Sequence, residues 1–178
     1  MAISVSIRQY VRQRARFLCE YCGVHESDAG NELTVDHFQP RIEGGTDDLD
    51  NLVYCCFSCN QFKHAYWSKN ASDPQLWNPR REPFSLHFLE LDDGTLQPMT
   101  PTGAFALRLL HLNRSALIDY RKKRQQEQTN LRWLSQLQAL AQIYEQLIEQ
   151  QAQLIMEQRA LLEEQRELLR RLFEERFS

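Results

Sequence analysis

Glycine and proline are absent from the C-terminal part of the chain, since all six glycines and all six prolines lie at or before Gly103. Without a strong helix breaker after that residue, the sequence predicts uninterrupted helix there. The chain also lacks an apolar run of the roughly 20 residues that a membrane-spanning helix needs. Arginines occupy the N-terminal stretch where a signal peptide has its apolar segment, so we expect a cytoplasmic protein with no membrane association.

The chain carries no overall positive charge that would mark a nucleic-acid-binding protein. Its 178 residues have a net charge of −3, which is unevenly distributed. Residues 1–102 hold 9 basic against 14 acidic side chains, whereas residues 103–178 hold 12 against 10. A length of this size allows one ordinary domain with an appendage. Any contact with DNA must therefore come from local clusters of positive charge.

Cysteine is scarce, but its spacing is informative. Four of the five cysteines form two CxxC pairs, CEYC and CFSC: Cys19, Cys22, Cys56 and Cys59. Each such turn, here called a knuckle, presents two thiolates to one ion, so the two pairs predict a structural Zn²⁺ site. An odd number of cysteines argues against a disulfide framework. Two unrelated buried clusters or a redox CxxC are the alternatives. Cys55 is left over, and it is an alternative to Cys56 as the ligand.

The distribution of breakers and apolar residues predicts three regions. Residues 1–102 form a small domain of short helices and strands, residues 103–130 form connecting helices, and residues 131–178 form a long helix for oligomerisation. In the first region, 33–38 and 52–55 are expected to be strands and 58–67 a short helix. Thr102 and Asn113 are candidate N-caps of the later helices. The fold class is α+β with a long C-terminal helix.

Apolar residues in the C-terminal region repeat every seven positions. One row contains Leu140, Leu147, Leu154, Leu161 and Leu168. A second row beside it contains Ala141, Ile148, Ile155, Leu162 and Leu169. A sustained seven-residue period is typical of a left-handed coiled coil. We expect a homo-oligomer or a partner protein bound through this helix. The alternative is a long helix that folds back on its own first half.

The segment that carries chemistry reads VDHFQPRIEGGTDDLDNLVYCCFSCNQFK, at residues 35–63. It places an acid–histidine pair on a strand, then a glycine-containing loop, then a second strand that leads through a knuckle into a helix. This pattern resembles the HNH endonucleases, which have a ββα-metal fold flanked by zinc knuckles. The strings WNPRREPF and DDGTLQPMTPTGAFALRLLHLNR are similar to downstream segments of bacterial, notably cyanobacterial, members.

Hydrolysis of a phosphodiester bond needs a base, a cation at the phosphate and rigid alignment. Histidine is mostly neutral near pH 7, so His37 is our candidate general base. Asp36 and Asn60 offer hard oxygen ligands for a catalytic Mg²⁺, with Mn²⁺ also acceptable. The resemblance implies that Asn51 fixes the loop and orients the base. It also implies that Asn60 stands in place of the final histidine of the family name.

Further residues around this segment are candidates for secondary roles. His64 lies four residues after Asn60, on the same face of the predicted helix, and is a candidate second metal ligand. A solvated helix position is the alternative for His64. Positive side chains that we expect to contact the phosphates of DNA are Arg8, Arg12, Arg16, Arg41 and Lys63. Arginines at 8, 12 and 16 share one face of a predicted N-terminal helix.

These observations predict a zinc-stabilised, Mg²⁺-dependent DNA endonuclease that leaves 5′-phosphate and 3′-hydroxyl ends, as the resemblance implies. Phage defence and a partner-directed nuclease subunit are both compatible roles. The alternative from another class is a non-catalytic zinc module that binds nucleic acid and recruits a partner through the coiled coil. RNA is a second alternative as substrate. The presence of Asp36, His37 and Asn60 together favours the enzyme, because a binding module needs none of them.

Overall fold

A computed structural model describes residues 3–70 and 72–176. The chain divides into two compact units, Met1–Gln125 and Gln126–Ser178. We call them the N-terminal and the C-terminal unit. The elements, in chain order, are α1 (Val5–Arg14), α2 (Glu26–Ala29), β1 (Thr34–His37), β2 (Leu52–Cys55), α3 (Phe57–Lys63), α4 (Phe84–His87), β3 (Phe88–Glu90), β4 (Leu96–Pro98), α5 (Pro101–Leu109) and α6 (Ser115–Arg176). The α+β class with a long C-terminal helix is confirmed.

The centre of the N-terminal unit is an antiparallel pair of strands followed by a helix. β1 pairs with β2 in the register Thr34–Cys55 to His37–Leu52. All four residues of β2 are buried, as expected for an apolar run such as LVYC that packs on both faces. α3 begins directly after β2 and contacts β1. The order β1, β2, α3 places the end of β1 beside α3.

α1 is shorter than the predicted arginine face requires. Ser4 caps it, since its hydroxyl accepts a hydrogen bond from the backbone N–H of Ile7. The helix ends at Arg14, and Arg16 follows with a positive φ of 54°. Because that conformation breaks the helical spacing, Arg16 does not continue the face formed by Arg8 and Arg12. The expectation of one arginine row at 8, 12 and 16 is therefore wrong at its third member.

Two helix termini differ from the sequence prediction. α3 ends at Lys63, because His64 adopts a positive φ of 48°. α5 is capped by Thr100 and has Pro101 in its first turn, so the predicted cap at Thr102 is wrong. Asn113 does not cap α6. Its side chain instead exchanges hydrogen bonds with the backbone of Leu96, which ties β4 to the segment before α6.

α6 is one continuous helix of 62 residues. Its second part therefore does not fold back on its first part, contrary to the alternative considered above. From residue 126 onward nearly all described side chains are exposed, including the leucine rows. Within residues 3–70 and 72–176, no helix is both long and apolar enough to cross a membrane.

Candidate functional site

The four knuckle cysteines converge on one point. Their sulfur atoms lie within 4.8 Å of one another, and all four side chains are buried. Cys22 Sγ and Cys56 Sγ are 3.7 Å apart, close to the roughly 3.8 Å that tetrahedral geometry gives for Zn–S bonds of about 2.3 Å. Hydrogen bonds from the neighbouring thiols lower the pKa of Cys56, which favours the thiolate that zinc binds. The four cysteines are therefore arranged to bind Zn²⁺.

Cys55 lies outside this cluster. It ends β2 and is buried, and burial raises the pKa of its thiol well above the ordinary value. Cys56 is the N-cap of α3, and its sulfur accepts a hydrogen bond from the backbone N–H of Cys59. The choice of Cys56 over Cys55 as the ligand is confirmed.

A second feature, here called the cleft, lies at the end of β1 against α3. It has a volume of about 400 Å³. Its lining includes Asp36, His37, Arg41, Asn60 and His64. Asn60 reaches it from the middle of α3 rather than from the start of that helix. The carboxylate, the imidazole and the amide that phosphodiester chemistry requires are therefore in one place.

His37 is held by a loop carboxylate. Its Nε2 lies 2.7 Å from Asp47 Oδ1 and 3.3 Å from Arg41 Nε. Arg41 in turn pairs with Asp47 at 2.6 Å. His37 and then Arg41 lower the pKa of Asp47, which keeps this carboxyl ionised. A neutral imidazole cannot both donate and accept at one nitrogen. The shorter contact favours donation from Nε2 to Asp47, which leaves Nδ1 without a proton.

The loop that carries Asp47 is fixed by Asn51. Its side-chain oxygen accepts a hydrogen bond of 2.7 Å from the backbone N–H of Gln39. Its side-chain nitrogen donates to the carbonyl oxygens of Gln39 and Thr46, at 3.1 and 2.8 Å. These three bonds join the two ends of the loop that follows β1. The close approach also explains Gly45, where a Cβ would overlap the carbonyl oxygen of Gln39.

Lys63 occupies a position that the sequence did not predict. Its Nζ lies 2.9 Å from Asp36 Oδ2 and donates to the carbonyl oxygen of His37 at 2.8 Å. The Lys63 side chain has no exposed surface, whereas that of Asp36 is 19% exposed. A buried ammonium cannot reach a phosphate outside the protein, so the predicted phosphate contact of Lys63 is wrong in this structure. Lys63 instead pairs with Asp36 and orients its carboxylate.

The segment that contains the cleft and the zinc site matches a known family. Residues 19–66 fit the family model of the HNH endonuclease. Over these residues the chain is similar to an HNH endonuclease domain. The CRISPR-associated endonuclease Cas9 of Corynebacterium diphtheriae is 40% identical over 65 residues, which are 34% of this chain and 6% of that protein. The match thus covers a small part of the relative, and it supports a nuclease of the HNH type.

The arginines around the HNH domain are engaged to different degrees. Arg12 forms two hydrogen bonds with Glu26, at 2.6 and 2.9 Å, so its guanidinium is already neutralised. Arg8 donates to the carbonyl oxygen of Ile3, and Arg16 is exposed. Arg41 lines the cleft and is bound to Asp47. Of the five residues expected to contact phosphate, Arg41 is the one that lines the cleft. The contacts of Arg8, Arg12 and Arg16 with phosphate stay a prediction.

Two residues of the HNH domain and its surroundings escaped sequence reasoning. Asp47 is one of several carboxylates in the loop between β1 and β2, and it contacts His37. Arg114 precedes α6, and its Nη2 lies 3.9 Å from the sulfurs of Cys56 and Cys59. A cation there offsets the formal charge of −2 that four thiolates and one Zn²⁺ retain. The sequence positions of Asp47 and Arg114 do not predict these contacts, because only the tertiary fold brings the two residues to their sites.

Proposed function

We propose that this chain is a metal-dependent DNA endonuclease that hydrolyses phosphodiester bonds. The observation that supports it is the cleft, where Asp36, His37 and Asn60 lie together and Asp47 holds the imidazole. A merely structural histidine would not need a paired carboxylate on its ring nitrogen beside an open cleft. The HNH family match agrees with this activity.

His37 acts as the general base in this proposal. With Nε2–H donating to Asp47, Nδ1 accepts the proton of the attacking water. Asp47 stabilises the imidazolium that results, and it fixes the ring against rotation. Asn51 keeps the loop with Asp47 in register with β1. The water's oxygen bonds to phosphorus while the bond to the 3′-oxygen breaks, and the leaving 3′-oxygen takes up a proton from the surrounding water. The products then carry 5′-phosphate and 3′-hydroxyl ends, as the resemblance to the HNH endonucleases implies.

Asp36 and Asn60 are the residues that would hold the catalytic ion. A carboxylate and an amide oxygen on one cleft are typical of a Mg²⁺ site that keeps several waters, and Mn²⁺ has similar preferences. When bound, such an ion supplies positive charge at the phosphate and at the leaving oxygen. Lys63 holds Asp36 at 2.9 Å and so presents its carboxylate in one orientation. His64 also lines the cleft and is a further candidate ligand.

The test is the nicking of supercoiled plasmid by zinc-loaded protein, with and without Mg²⁺. We expect His37→Ala to lower the rate by about 100-fold or more, because a positioned base contributes roughly 10²–10⁴-fold. His111→Ala is the control, since His111 is exposed and does not line the cleft. Zinc content is measured for each protein. Nicking by His37→Ala at the wild-type rate would exclude His37 as the base.

Failure of the zinc-loaded wild type to cut DNA would favour the non-catalytic module that binds nucleic acid and recruits a partner. Cleavage of RNA but not DNA in a parallel assay would change the substrate class. The same proposal includes a role in phage defence and a cytoplasmic location. It also divides the chain by function into residues 1–102, 103–130 and 131–178.

Self-association through α6 is the second part of the proposal. The leucines of the first heptad row are between 46 and 60% exposed in the single chain, which is unfavourable for aliphatic side chains in water. A second copy that presents the same rows buries them in a self-complementary way. One catalytic site cuts one strand, so a dimer provides the two sites that a double-strand cut needs.

A further inference from the structure

A separate cavity of about 390 Å³ lies in the N-terminal unit. We call it the side pocket, and its lining includes Phe38, Tyr66, Trp67, Asn78 and Arg81. It shares no lining residue with the cleft. The proposed mechanism uses none of these five side chains, and it gives no reason for an open cavity with three aromatic rings in its wall.

The side pocket lies directly beside the cleft. His37 lines the cleft and the next residue, Phe38, lines the side pocket. In the same way Ala65 lines the cleft and Tyr66 lines the side pocket. Consecutive Cα atoms are about 3.8 Å apart, so the backbone at these two junctions is the partition between the two spaces. A DNA strand whose phosphate lies in the cleft therefore passes close to the side pocket.

The aromatic wall of the side pocket offers a flat apolar surface. Phe38 and Trp67 meet nearly at right angles, with ring centroids 6.0 Å apart and an interplanar angle of 87°. Phe38 and Tyr66 pack against the hydrophobic core, which holds their rings in place. Trp67 is not among the described residues that pack on the core, and it is partly exposed. Such a corner accommodates a planar ring that stacks on one aromatic side chain and meets the edge of the other.

Two hydrogen-bond donors of the side pocket are unused by the described chain. Asn78 is only 9% exposed, and its Oδ1 accepts from the backbone N–H of Arg80 at 2.9 Å. Its Nδ2 has no partner within residues 3–70 and 72–176, and it is not one of the unpaired side-chain atoms that solvent cannot reach. The indole N–H of Trp67 is unpaired and accessible in the same sense. Both donors are therefore open to an acceptor that enters from solvent.

Charges around the side pocket separate a place for a phosphate from a place for a neutral ring. Arg81 is exposed, and its guanidinium has no ion pair with the residues that the structure describes. Glu82 is the carboxylate of the side pocket itself, and its Oε2 lies 3.1 Å from His87 Nε2. Carboxylates of the loop between β1 and β2, Asp48 among them, line an adjoining cavity of about 210 Å³. These carboxylates repel a phosphate from the interior, so a phosphate is favoured only at Arg81.

We propose that the side pocket binds one unpaired nucleobase of the DNA strand whose phosphate lies in the cleft. The base stacks on Trp67, Asn78 Nδ2 donates to an acceptor on its edge, and Arg81 contacts a backbone phosphate beside it. Every base has an aromatic face and at least one acceptor on its edge. The volume is at the lower end of the range of roughly 300–1,000 Å³ for small-molecule sites, which suits a single base. The inference rests on the proposed function in taking DNA as the ligand, and it adds a preference for DNA with an exposed base.

Binding of the zinc-loaded full chain to two bulged DNA duplexes, without Mg²⁺, tests this inference. One duplex carries a single bulged deoxyadenosine, and the other carries an abasic residue at the same place. Fluorescence anisotropy of the labelled DNA gives both affinities. We expect the duplex with the base to bind roughly tenfold more tightly, which is typical for the stacking of one base on an aromatic side chain.

Trp67→Ala should remove this difference and leave binding of the abasic duplex unchanged, because only the stacking surface is lost. Arg81→Gln should weaken binding of both duplexes alike, since it removes a contact with phosphate. Tyr10→Ala is the matched control for Trp67→Ala: Tyr10 is an aromatic residue that is 52% exposed and lies outside the side pocket. Zinc content and the thermal midpoint are measured for each variant.

A second measurement needs no variant. 2-Aminopurine replaces the bulged adenine, and its fluorescence should fall when the wild type binds, because stacking on an aromatic ring quenches it. Equal affinity of the wild type for the two bulged duplexes, binding to neither of them or unchanged 2-aminopurine fluorescence would overturn the inference. Equal affinity would leave the side pocket to a planar side chain of a partner protein. A full difference between the duplexes in Trp67→Ala would overturn it as well.

The outcomes for the side pocket and for catalysis are distinct. Plasmid nicking combined with equal binding of the two bulged duplexes would contradict the side pocket alone. Base-dependent binding without nicking in Mg²⁺ would support the side pocket and contradict the proposed catalysis alone.

Discussion

In the proposed mechanism, His37 depends for its role as a base on Asp47, a residue ten positions away. Asp47 Oδ1 lies 2.7 Å from Nε2, and Arg41 completes the group by pairing with both oxygens of Asp47. The imidazole is therefore placed by a loop side chain rather than by the strand that carries it. In this arrangement the proton that His37 takes up from water is balanced by a carboxylate that stays ionised.

Asp47→Asn tests this dependence. The substitution keeps the size of the side chain but removes the negative charge that fixes the Nδ1 lone pair towards water. We expect plasmid nicking to fall roughly 10–100-fold, which is typical for loss of a residue that orients a functional histidine. Zinc content should not change. Asp50→Asn is the control, since Asp50 lies on the same loop and does not line the cleft. Equal activity of the wild type and Asp47→Asn would show that His37 needs no such partner.

At the residue scale, the sequence correctly predicted features that depend on residues close together in the chain. Two CxxC pairs define the zinc ligands because each pair is a local turn, and Asp36–His37 are neighbours on one strand. The positions and contacts that long side chains take in the fold could not be predicted in this way. The charge of Lys63 predicted a surface position, yet its stem is buried and its ammonium pairs with Asp36. Only the packing of α3 against β1 decides that outcome.

The loop between β1 and β2 is the element that joins His37, the proposed base, to the carboxylate of Asp47. Asn51 bonds to Gln39 and Thr46, and Gly45 donates its backbone N–H to the carbonyl oxygen of Pro40 at 3.0 Å. A Cβ at position 45 would overlap the Gln39 carbonyl oxygen and lie 2.9 Å from Asn51 Nδ2. Backbone and side chain therefore pack too closely there for any residue except glycine.

Gly45→Ala should disturb this element in two ways. Overpacking against backbone costs about 1–3 kcal/mol, so the free energy of unfolding in urea should fall by that amount. Nicking should also fall, because the loop that carries Asp47 must move. Gly30→Ala is the matched control: Gly30 has a φ of 74°, but no atom lies within 4 Å of the place that an alanine methyl group would take. Gly30→Ala should lower the free energy of unfolding because of the positive φ, while its nicking rate stays at the wild-type level. A similar loss of nicking in both variants would argue against a specific role of the loop.

The ends of helices and strands agree with the sequence prediction where neighbouring residues alone determine them. The strand predicted at 52–55 matches β2, and Ser4, a residue type favoured at N-caps, caps α1. The predictions were wrong where a positive φ ends a helix, at Arg16 and at His64. Neither residue type signals such a conformation by itself. The backbone adopts it because the following segment must turn towards the knuckle or towards the core.

At the scale of the whole molecule, α6 presents aliphatic rows that no described residue covers after residue 126. The two leucine-rich rows flank a third row that contains Gln151, Gln158 and Gln165. Such polar positions within an apolar face restrict the register of association at some cost in stability. The seven-residue period was visible in the sequence, but the number of helices that meet is not encoded in the period alone.

Leu154→Gln combined with Leu161→Gln should weaken this association. Light scattering coupled to gel filtration at micromolar concentration should give a mass above that of one chain for the wild type and a shift towards 21.1 kDa for the double variant. Met156→Gln is the matched control, because it is 71% exposed and lies on the opposite side of the helix. A wild-type mass of one chain would remove the basis for a dimeric nuclease.

The pairing of cations in the N-terminal unit has a consequence for binding to DNA. Three cations are each neutralised by a carboxylate of the same chain: Lys63 by Asp36, Arg41 by Asp47 and Arg12 by Glu26. A cation that already has such a partner displaces few condensed counterions when it approaches a phosphate. The number of counterions released sets the slope of log affinity against log salt concentration. We therefore expect a nuclease with this cleft to show a shallow slope of log affinity for DNA against log salt concentration. Its affinity for DNA would change little between low and high ionic strength.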